Sequence, residues 1–124
     1  MVEDDPDLVD LMLDEEIDFP LVMQCVFGIQ AHETRTYFAL LGAPGSTVME
    51  LADRLDRDRS NVNRSLSTLH ERGLITRERR LLDGGGYVYQ YLAVPLDTTK
   101  QRMHEGVDRW VDAVHEHIDS FGSG

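Results

Sequence analysis

The hydrophobic period of this chain changes at Gly73, and that change limits the folds open to it. Before Gly73, apolar residues recur every three or four positions, as in amphipathic helices. After it, residues 74–82 and 87–94 alternate with the period of two that is typical of strands. Three of the four residues at 83–86 are glycines, which predicts a flexible hairpin tip. The sequence therefore predicts helices followed by one β-hairpin.

A short helix is predicted directly after Thr47. Thr47 and Glu50 have the spacing of a capping box, in which the threonine caps the helix and the glutamate reaches back to its amide. The apolar residues of this helix fall on one stripe, which we expect to be buried: Val48, Leu51, Ala52 and Leu55.

A second helix follows after a three-residue polar break at residues 56–58. Asp58 is expected to cap it, and it is expected to run through Arg72 and to end at Gly73. Its buried face is set by residues that keep the same helical spacing: Val62, Leu66 and Leu69.

Further apolar segments flank this pair of helices. Residues 19–27 are apolar, with Pro20 suited to a first helical turn. Residues 30–42 predict a helix that buries Tyr37, Phe38 and Leu41. Residues 97–121 predict one long helix, whose apolar stripe consists of Met103, Val107, Trp110, Val111, Val114, Ile118 and Phe121.

Together these elements predict a mainly α protein with a small β-hairpin wing, an α+β winged helix-turn-helix with a long C-terminal dimerisation helix. We expect an acidic arm or short helix at residues 1–18, the winged helix-turn-helix domain at residues 19–95 and the dimerisation helix at residues 96–124. The seven large apolar side chains of the last helix exceed what packing on one small domain needs, so that stripe is the expected homodimer interface.

Charge is distributed unevenly along the chain. The formal net charge is −11, but residues 54–80 hold eight of the 12 cationic residues and only four acids, a local net charge of +4. A basic segment in an acidic chain predicts a localised anion-binding face.

The solvent side of the second helix carries the main candidates for DNA reading. Small polar groups and arginine suit base edges in a major groove, where asparagine can read adenine and arginine guanine. These candidates are Arg59, Ser60, Asn61, Asn63, Arg64 and Ser67. The hairpin adds groups suited to phosphates or a minor groove, namely Arg77, Arg79, Arg80 and Gly85. Arg77 and Arg79 are predicted to share one face of their strand, with Arg80 on the other.

The run from Leu51 to Ile75 resembles the core of winged-helix regulators of the MarR, TrmB and ArsR type. Those families share an L-A-x-x-L helix, an S-x-V-x-R-x-L recognition helix and a G-L-[IV] exit. Here the matching residues are Leu51, Ala52, Leu55, Ser60, Val62, Arg64, Leu66, Gly73, Leu74 and Ile75. The resemblance implies a sequence-specific DNA-binding transcriptional regulator that binds a pseudo-palindromic operator as a dimer. The chain as a whole also resembles haloarchaeal regulators of the oxidative-stress response.

The choice of charged residues suggests a halophilic host. There is one lysine beside 11 arginines, and 14 of the 23 acids are aspartate. Short, well-hydrated aspartates suit concentrated salt, where charge repulsion is screened within a few Å. Asp56 and Asp58 lie where phosphates are expected, so inorganic cations such as K⁺ are expected partners at the DNA interface.

Other function classes find less support in the sequence. A protein–protein interaction module built on a winged helix remains the alternative, although such modules usually lose the Arg/Asn face. Cys25 is the only cysteine and lies in an apolar run without a base, which favours a buried side chain over a redox sensor. His115 and His117 point about 200° apart on a helix and so cannot share one metal ion. We expect no cofactor, no metal site, no catalysis and no membrane span, and the acidic N-terminus predicts a cytoplasmic location.

Overall fold

The structure, a computed structural model, describes residues 18–122. This part of the chain contains five helices and one two-stranded antiparallel sheet, as the sequence predicts. In chain order these are α1 (Phe19–Phe27), α2 (Ala31–Gly42), α3 (Val48–Leu55), α4 (Arg59–Glu71), β1 (Ile75–Leu81), β2 (Tyr87–Ala93) and α5 (Leu96–Ser120). The arm expected at residues 1–18 lies outside the described residues, apart from Asp18.

The helix ends follow local capping chemistry. Asp18 caps α1, because its carboxylate accepts a hydrogen bond from the Leu21 amide at 3.0 Å. At the start of α3, the capping box predicted for Thr47 and Glu50 is present in both directions. Gly73 follows α4 with a left-handed φ of 73°, as its predicted role requires.

The hairpin has the predicted strands in a continuous register. Ile75 pairs with Ala93 at the base of the wing and Leu81 pairs with Tyr87 near the tip. The segment before α3 also pairs with the hairpin, because Ser46 forms an isolated antiparallel bridge with Tyr91 of β2. This bridge ties the base of the wing to the entrance of the helix-turn-helix.

The core lies between α2, α4 and the base of the hairpin. It is formed by buried side chains of these elements, of α3 and of the residue before β1, among them Tyr37, Leu51, Val62, Leu66, Leu69, Leu74 and Tyr91. The stripe predicted for α3 is buried at Leu51 and Ala52, while Val48 and Leu55 are half-buried against the core.

Helix α2 buries a different set of residues from the one its sequence predicts. Tyr37 is fully buried, but Phe38 is exposed and Leu41 is half-buried. Thr36, Tyr37 and Leu40 mark the centre of the buried face, and at about 100° per residue Phe38 points away from it. The Phe38 ring instead packs on Phe19 of α1, with ring centroids 5.4 Å apart.

A buried hydrogen-bond chain joins α2 to the start of α5. The Tyr37 hydroxyl donates to the Val94 carbonyl and lies 2.7 Å from the Thr99 hydroxyl. Because the phenol has a single proton, the Thr99 hydroxyl is the donor in the second bond. Burial raises the pKa of Tyr37 above its ordinary value of 10.0, with opposing contributions from the Thr99 bond and the charge of Arg102.

Helix α5 is buried against the rest of the protein only in its first turns, and most of its later residues are exposed. Thr99 and Met103 are its buried residues, and α1 is the element that lies beside it. Among the helices of residues 18–122, none is long and apolar enough to span a membrane.

Candidate nucleic-acid interface

Helix α4 separates its residues into a core face and a solvent face, as the sequence predicts. Val62, Leu66 and Leu69 are buried. Five of the six predicted base-reading residues are exposed, and Asn61 is half-buried: Arg59, Ser60, Asn61, Asn63, Arg64 and Ser67. The helix therefore presents donors and acceptors on the side that does not contact the domain.

Two of these polar residues, Asn61 and Arg64, are hydrogen-bonded to each other and to Asp58 along the first turns of α4. The Asn61 side-chain amide donates to the Asp58 carboxylate at 3.0 Å, and the Arg64 guanidinium donates to the Asn61 carbonyl oxygen. These two hydrogen bonds orient the side chains of Asn61 and Arg64 in the absence of a ligand. The predicted capping role of Asp58 is thereby corrected: Asp58 is the N-cap residue of α4, but its carboxylate bonds the Asn61 side chain and no backbone amide.

The turn between α3 and α4 has an unusual backbone at its first residue. Asp56 has a φ of 51°, the single positive φ outside glycine in residues 18–122. Aspartate and asparagine tolerate this left-handed conformation better than other residues with a β-carbon. Asp56 and Asp58 are both exposed, so two negative charges flank the start of the candidate recognition helix.

The wing divides its arginines between two faces, as predicted. Arg77 and Arg79 lie on the face of β1 that also carries the buried Ile75, whereas Arg80 lies on the opposite face. All three arginines are exposed, as is Gly85 at the tip, which has a φ of 97°.

Two tyrosines of β2 hold the guanidinium groups of the first face. Arg77 lies over the ring of Tyr89, 4.4 Å from its centroid, and Arg79 lies over Tyr87 at 4.8 Å. The sequence reasoning missed these pairs. Their signal was present, because tyrosine alternates along β2 in the same period of two as arginine along β1.

Arg80 lies on the face of β1 opposite the tyrosines, and its charge acts on Glu50 in the first turn of α3. The pKa of Glu50 is lowered chiefly by its hydrogen bond to the Thr47 amide and then by the Thr47 hydroxyl, with a smaller contribution from the charge of Arg80.

The predicted dimer stripe on α5 is mostly unburied in the single chain. Met103 is buried and Val114 is half-buried, while the remaining members are exposed: Val107, Trp110, Val111, Ile118 and Phe121. Trp110 is 65% exposed and Phe121 is 89% exposed. A groove of 340 Å³ between α1 and α5, lined in part by Phe19, Val22 and Val107, continues this apolar surface.

Cys25 is exposed, which corrects its predicted burial. It lies on the side of α1 that faces solvent, while Met23 of the same helix faces the core. Within residues 18–122 no three His, Cys, Asp or Glu side chains are grouped so that they could hold a metal ion.

Comparison with known proteins shows that this chain is similar to regulators of transcription. Residues 23–97 match the family model described as "Sugar-specific transcriptional regulator TrmB". An uncharacterized protein of Methanocaldococcus jannaschii is 33% identical over 103 residues, which cover 83% of this chain and 78% of that protein.

Two solved structures illustrate the fold. A protein of Methanosarcina mazei described as a possible transcriptional regulator superposes with a TM-score of 0.75 at 26% identity, covering 86% of this chain and 96% of that one. FabT of Streptococcus pneumoniae, solved in complex with DNA, superposes with a TM-score of 0.53 at 20% identity, covering 92% of this chain and 78% of that one. The second likeness concerns the fold alone.

Proposed function

We propose that this chain, which belongs to the TrmB family of transcriptional regulators, regulates transcription by binding duplex DNA. In this proposal the binding is sequence-specific and uses α4 and the wing. The matched residues 23–97 contain the helix-turn-helix and the hairpin. We therefore carry over DNA binding and leave the sugar specificity of the family's description aside.

The observation that carries this proposal is the solvent face of α4. A helix whose other side is buried presents Arg59, Asn63 and Arg64 together, without the Glu/Lys pairs of an ordinary solvated surface. Arginine and asparagine are the side chains that pair in bidentate fashion with guanine and adenine. In this proposal α4 reads bases, and Arg77, Arg79, Arg80 and Gly85 of the wing contact the sugar-phosphate backbone or the minor groove.

We propose further that the protein acts as a homodimer on a pseudo-palindromic operator. One winged helix reads one half-site, so two-fold symmetry in the protein matches two-fold symmetry in the DNA. The exposed stripe of α5, with Trp110 near its centre, is the surface that supports this assignment. Apolar side chains of this size are rarely left in water as one contiguous patch.

The conditions of binding form the third part of the proposal. The abundance of aspartate and the single lysine favour a halophilic host, and the sequence resemblance favours a role in the oxidative-stress response of an archaeon. In concentrated KCl, cations such as K⁺ would lie between phosphates and the exposed carboxylates of Asp56 and Asp58. The site of action is the cytoplasm, where the operator DNA lies.

The second candidate function is a winged helix that binds another protein in a transcription or sorting complex. The apolar α5 surface is the observation that favours it, because that surface would accept a partner of another sequence as well as a second copy. The polar face of α4 speaks against it, since a protein-binding surface would be expected to gain apolar residues there.

Selection from a pool of randomised duplexes in about 2 M KCl separates the two functions. We expect the protein to enrich one motif with two inverted half-sites, and the double variant Asn61→Ala/Arg64→Ala to enrich none. A matched control is Gln101→Ala, which alters an exposed polar residue of α5 away from the interface. If the wild-type protein binds no duplex at any salt concentration, the DNA-binding proposal is wrong and the protein-binding candidate takes its place.

A further inference from the structure

The part of the wing beyond its base, residues 76–87, has little packing to stabilise it. Every residue from 76 to 87 is exposed, and an isolated two-stranded hairpin is only marginally stable in water. A wing that must present positive charge to DNA therefore needs an internal support. The described side chains offer one such support on the face that carries Arg77 and Arg79.

That support is a ladder of three tyrosines along β2. Tyr91 is buried in the core, Tyr89 is half-buried and Tyr87 is exposed near the tip. The ring centroids of Tyr91 and Tyr89 are 6.4 Å apart, and those of Tyr89 and Tyr87 are 5.5 Å apart in an edge-to-face arrangement. Aromatic pairs at these separations attract one another, so the ladder extends the order of the core toward the tip.

The arginines stack on this ladder with a consistent offset. Arg77 is paired with Tyr91 in the strand register but stacks on Tyr89, and Arg79 is paired with Tyr89 but stacks on Tyr87. Each guanidinium is therefore displaced by two positions of the register toward the tip, onto the next tyrosine of the same face. Diagonal cross-strand contacts of this kind are within reach of long side chains.

Stacking on a ring holds a guanidinium without neutralising it. A carboxylate partner would occupy its N–H groups and cancel its charge, whereas an aromatic face leaves the N–H edge free. In the described part of the chain, neither Arg77 nor Arg79 takes part in an ion pair. Both groups thus lie on a ring and are still able to bind a phosphate in bidentate fashion.

We propose that Tyr87 and Tyr89 are positioning residues for DNA binding, which hold the guanidinium groups of Arg79 and Arg77 where the wing meets the phosphate backbone. This inference rests on the proposed function, since it assigns the phosphate contact to the wing. Its physical basis is entropy: an arginine already held in place loses fewer rotamers when it binds. Because phosphates carry no sequence information, the benefit is equal for every duplex.

The test compares leucine and phenylalanine variants at both tyrosines. Phenylalanine keeps the aromatic face and leucine removes it. We expect Tyr87→Leu and Tyr89→Leu each to weaken binding about two- to fivefold, equally for the selected operator and for an unrelated duplex. The variants Tyr87→Phe and Tyr89→Phe should bind like the wild type. Tyr87 lies near the tip and outside the core, so its leucine variant tests the inference even where Tyr89→Leu is poorly folded.

Two further measurements separate positioning from a general effect on the wing. In the free protein, NMR of the arginine Nε–H groups should show a ring-current shift for Arg79 that Tyr87→Leu abolishes and Tyr87→Phe keeps. In an Arg79→Ala background, Tyr87→Leu should cause no further loss of affinity.

Leucine variants that bind like the wild type would overturn the inference alone, as would phenylalanine variants that lose as much affinity as leucine ones. A further loss in the Arg79→Ala background would also overturn it. A wild-type protein that binds neither duplex would overturn the proposed function together with this inference.

Discussion

Gly106 of α5 and Val26 of α1 are in such close contact that a β-carbon on the glycine would lie 2.5 Å from the valine Cγ1. Gly106 is helical, so its backbone conformation does not require glycine. The absence of a side chain is what allows the two helices to meet. This contact sets how α5, and with it the proposed dimer surface, packs against the rest of the winged helix-turn-helix.

We therefore expect Gly106→Ala to destabilise the protein despite the better helix propensity of alanine. Overpacking of this kind costs about 1–3 kcal/mol, which exceeds the propensity gain. Urea unfolding in molar KCl measures the difference. Gly42→Ala is the matched control, because Gly42 ends α2 with nothing within 4 Å of its added β-carbon and should be neutral or stabilising. Equal stability of the two variants would contradict the packing role of Gly106.

The apolar stripe of α5 should make the dimer. Trp110→Asp or Val114→Asp should yield a monomer and abolish tight operator binding at the same time, because each places a charge in a buried interface. Sedimentation equilibrium in molar KCl measures the mass. Arg109→Asp, which introduces the same carboxylate on the opposite side of α5, should remain dimeric. A wild-type protein that sediments as a 14.1 kDa monomer would rule this interface out.

The two parts of the DNA surface should differ in what they contribute. Arg64→Ala or Asn61→Ala should lower operator affinity by about 1–3 kcal/mol and relax the preference at one base pair. Arg79→Ala or Arg80→Ala should instead weaken all sequences alike, because phosphates are the same in every duplex. Affinities for a set of single-base operator variants distinguish the two patterns. Undiminished discrimination by the Arg64 and Asn61 variants would mean that α4 is not the reading helix.

Salt should affect this protein unlike most DNA-binding proteins. Each phosphate contact by arginine normally contributes a slope of about −0.9 in log affinity against log salt. Asp56 and Asp58 oppose this trend, because their repulsion from phosphates is screened at high salt and cations can be taken up between them. We expect affinity to hold or rise between about 0.5 M and about 2 M KCl.

The matched variant is Asp56→Asn/Asp58→Asn. Asparagine tolerates the positive φ at position 56 and still accepts the hydrogen bond from Asn61 at position 58, so the change removes charge and keeps geometry. This variant should show an ordinary negative slope. A steep fall in affinity with salt for the wild type would rule out cation uptake and count against the halophilic host.

Glu50 should make the stability of the helix-turn-helix sensitive to acid. Its pKa is lowered below the ordinary value of 4.5 by the Thr47 amide, the Thr47 hydroxyl and Arg80. A lowered pKa in the folded state stabilises the protein above the ordinary value, and that contribution is lost as pH falls through the folded-state pKa. Glu50→Gln keeps the capping bond without titrating. Between about pH 5 and about pH 3, the wild type should therefore lose more stability than Glu50→Gln in urea unfolding. Parallel losses in the two proteins would exclude this role.

Much of the fold was readable from the sequence because the signals that specify it are local. The capping box of Thr47 and Glu50, the left-handed Gly73 and the alternation after it each depend on a few neighbouring residues. Helix bounds and the solvent face of α4 follow from such signals, since a helical period determines which residues point together. The family to which the chain belongs is recognisable from the same short segments.

Features that depend on contacts between distant segments of the chain were decided by the tertiary structure. The exposure of Cys25 and Phe38 depends on which side of α1 and α2 the core lies, and composition does not settle that. The stacking of Arg77 on Tyr89 depends on strand register, and the contact of Gly106 with Val26 joins helices 80 positions apart in the chain. Such contacts are fixed by packing, in which each side chain fits the space left by many others, and no single segment of the sequence contains that information.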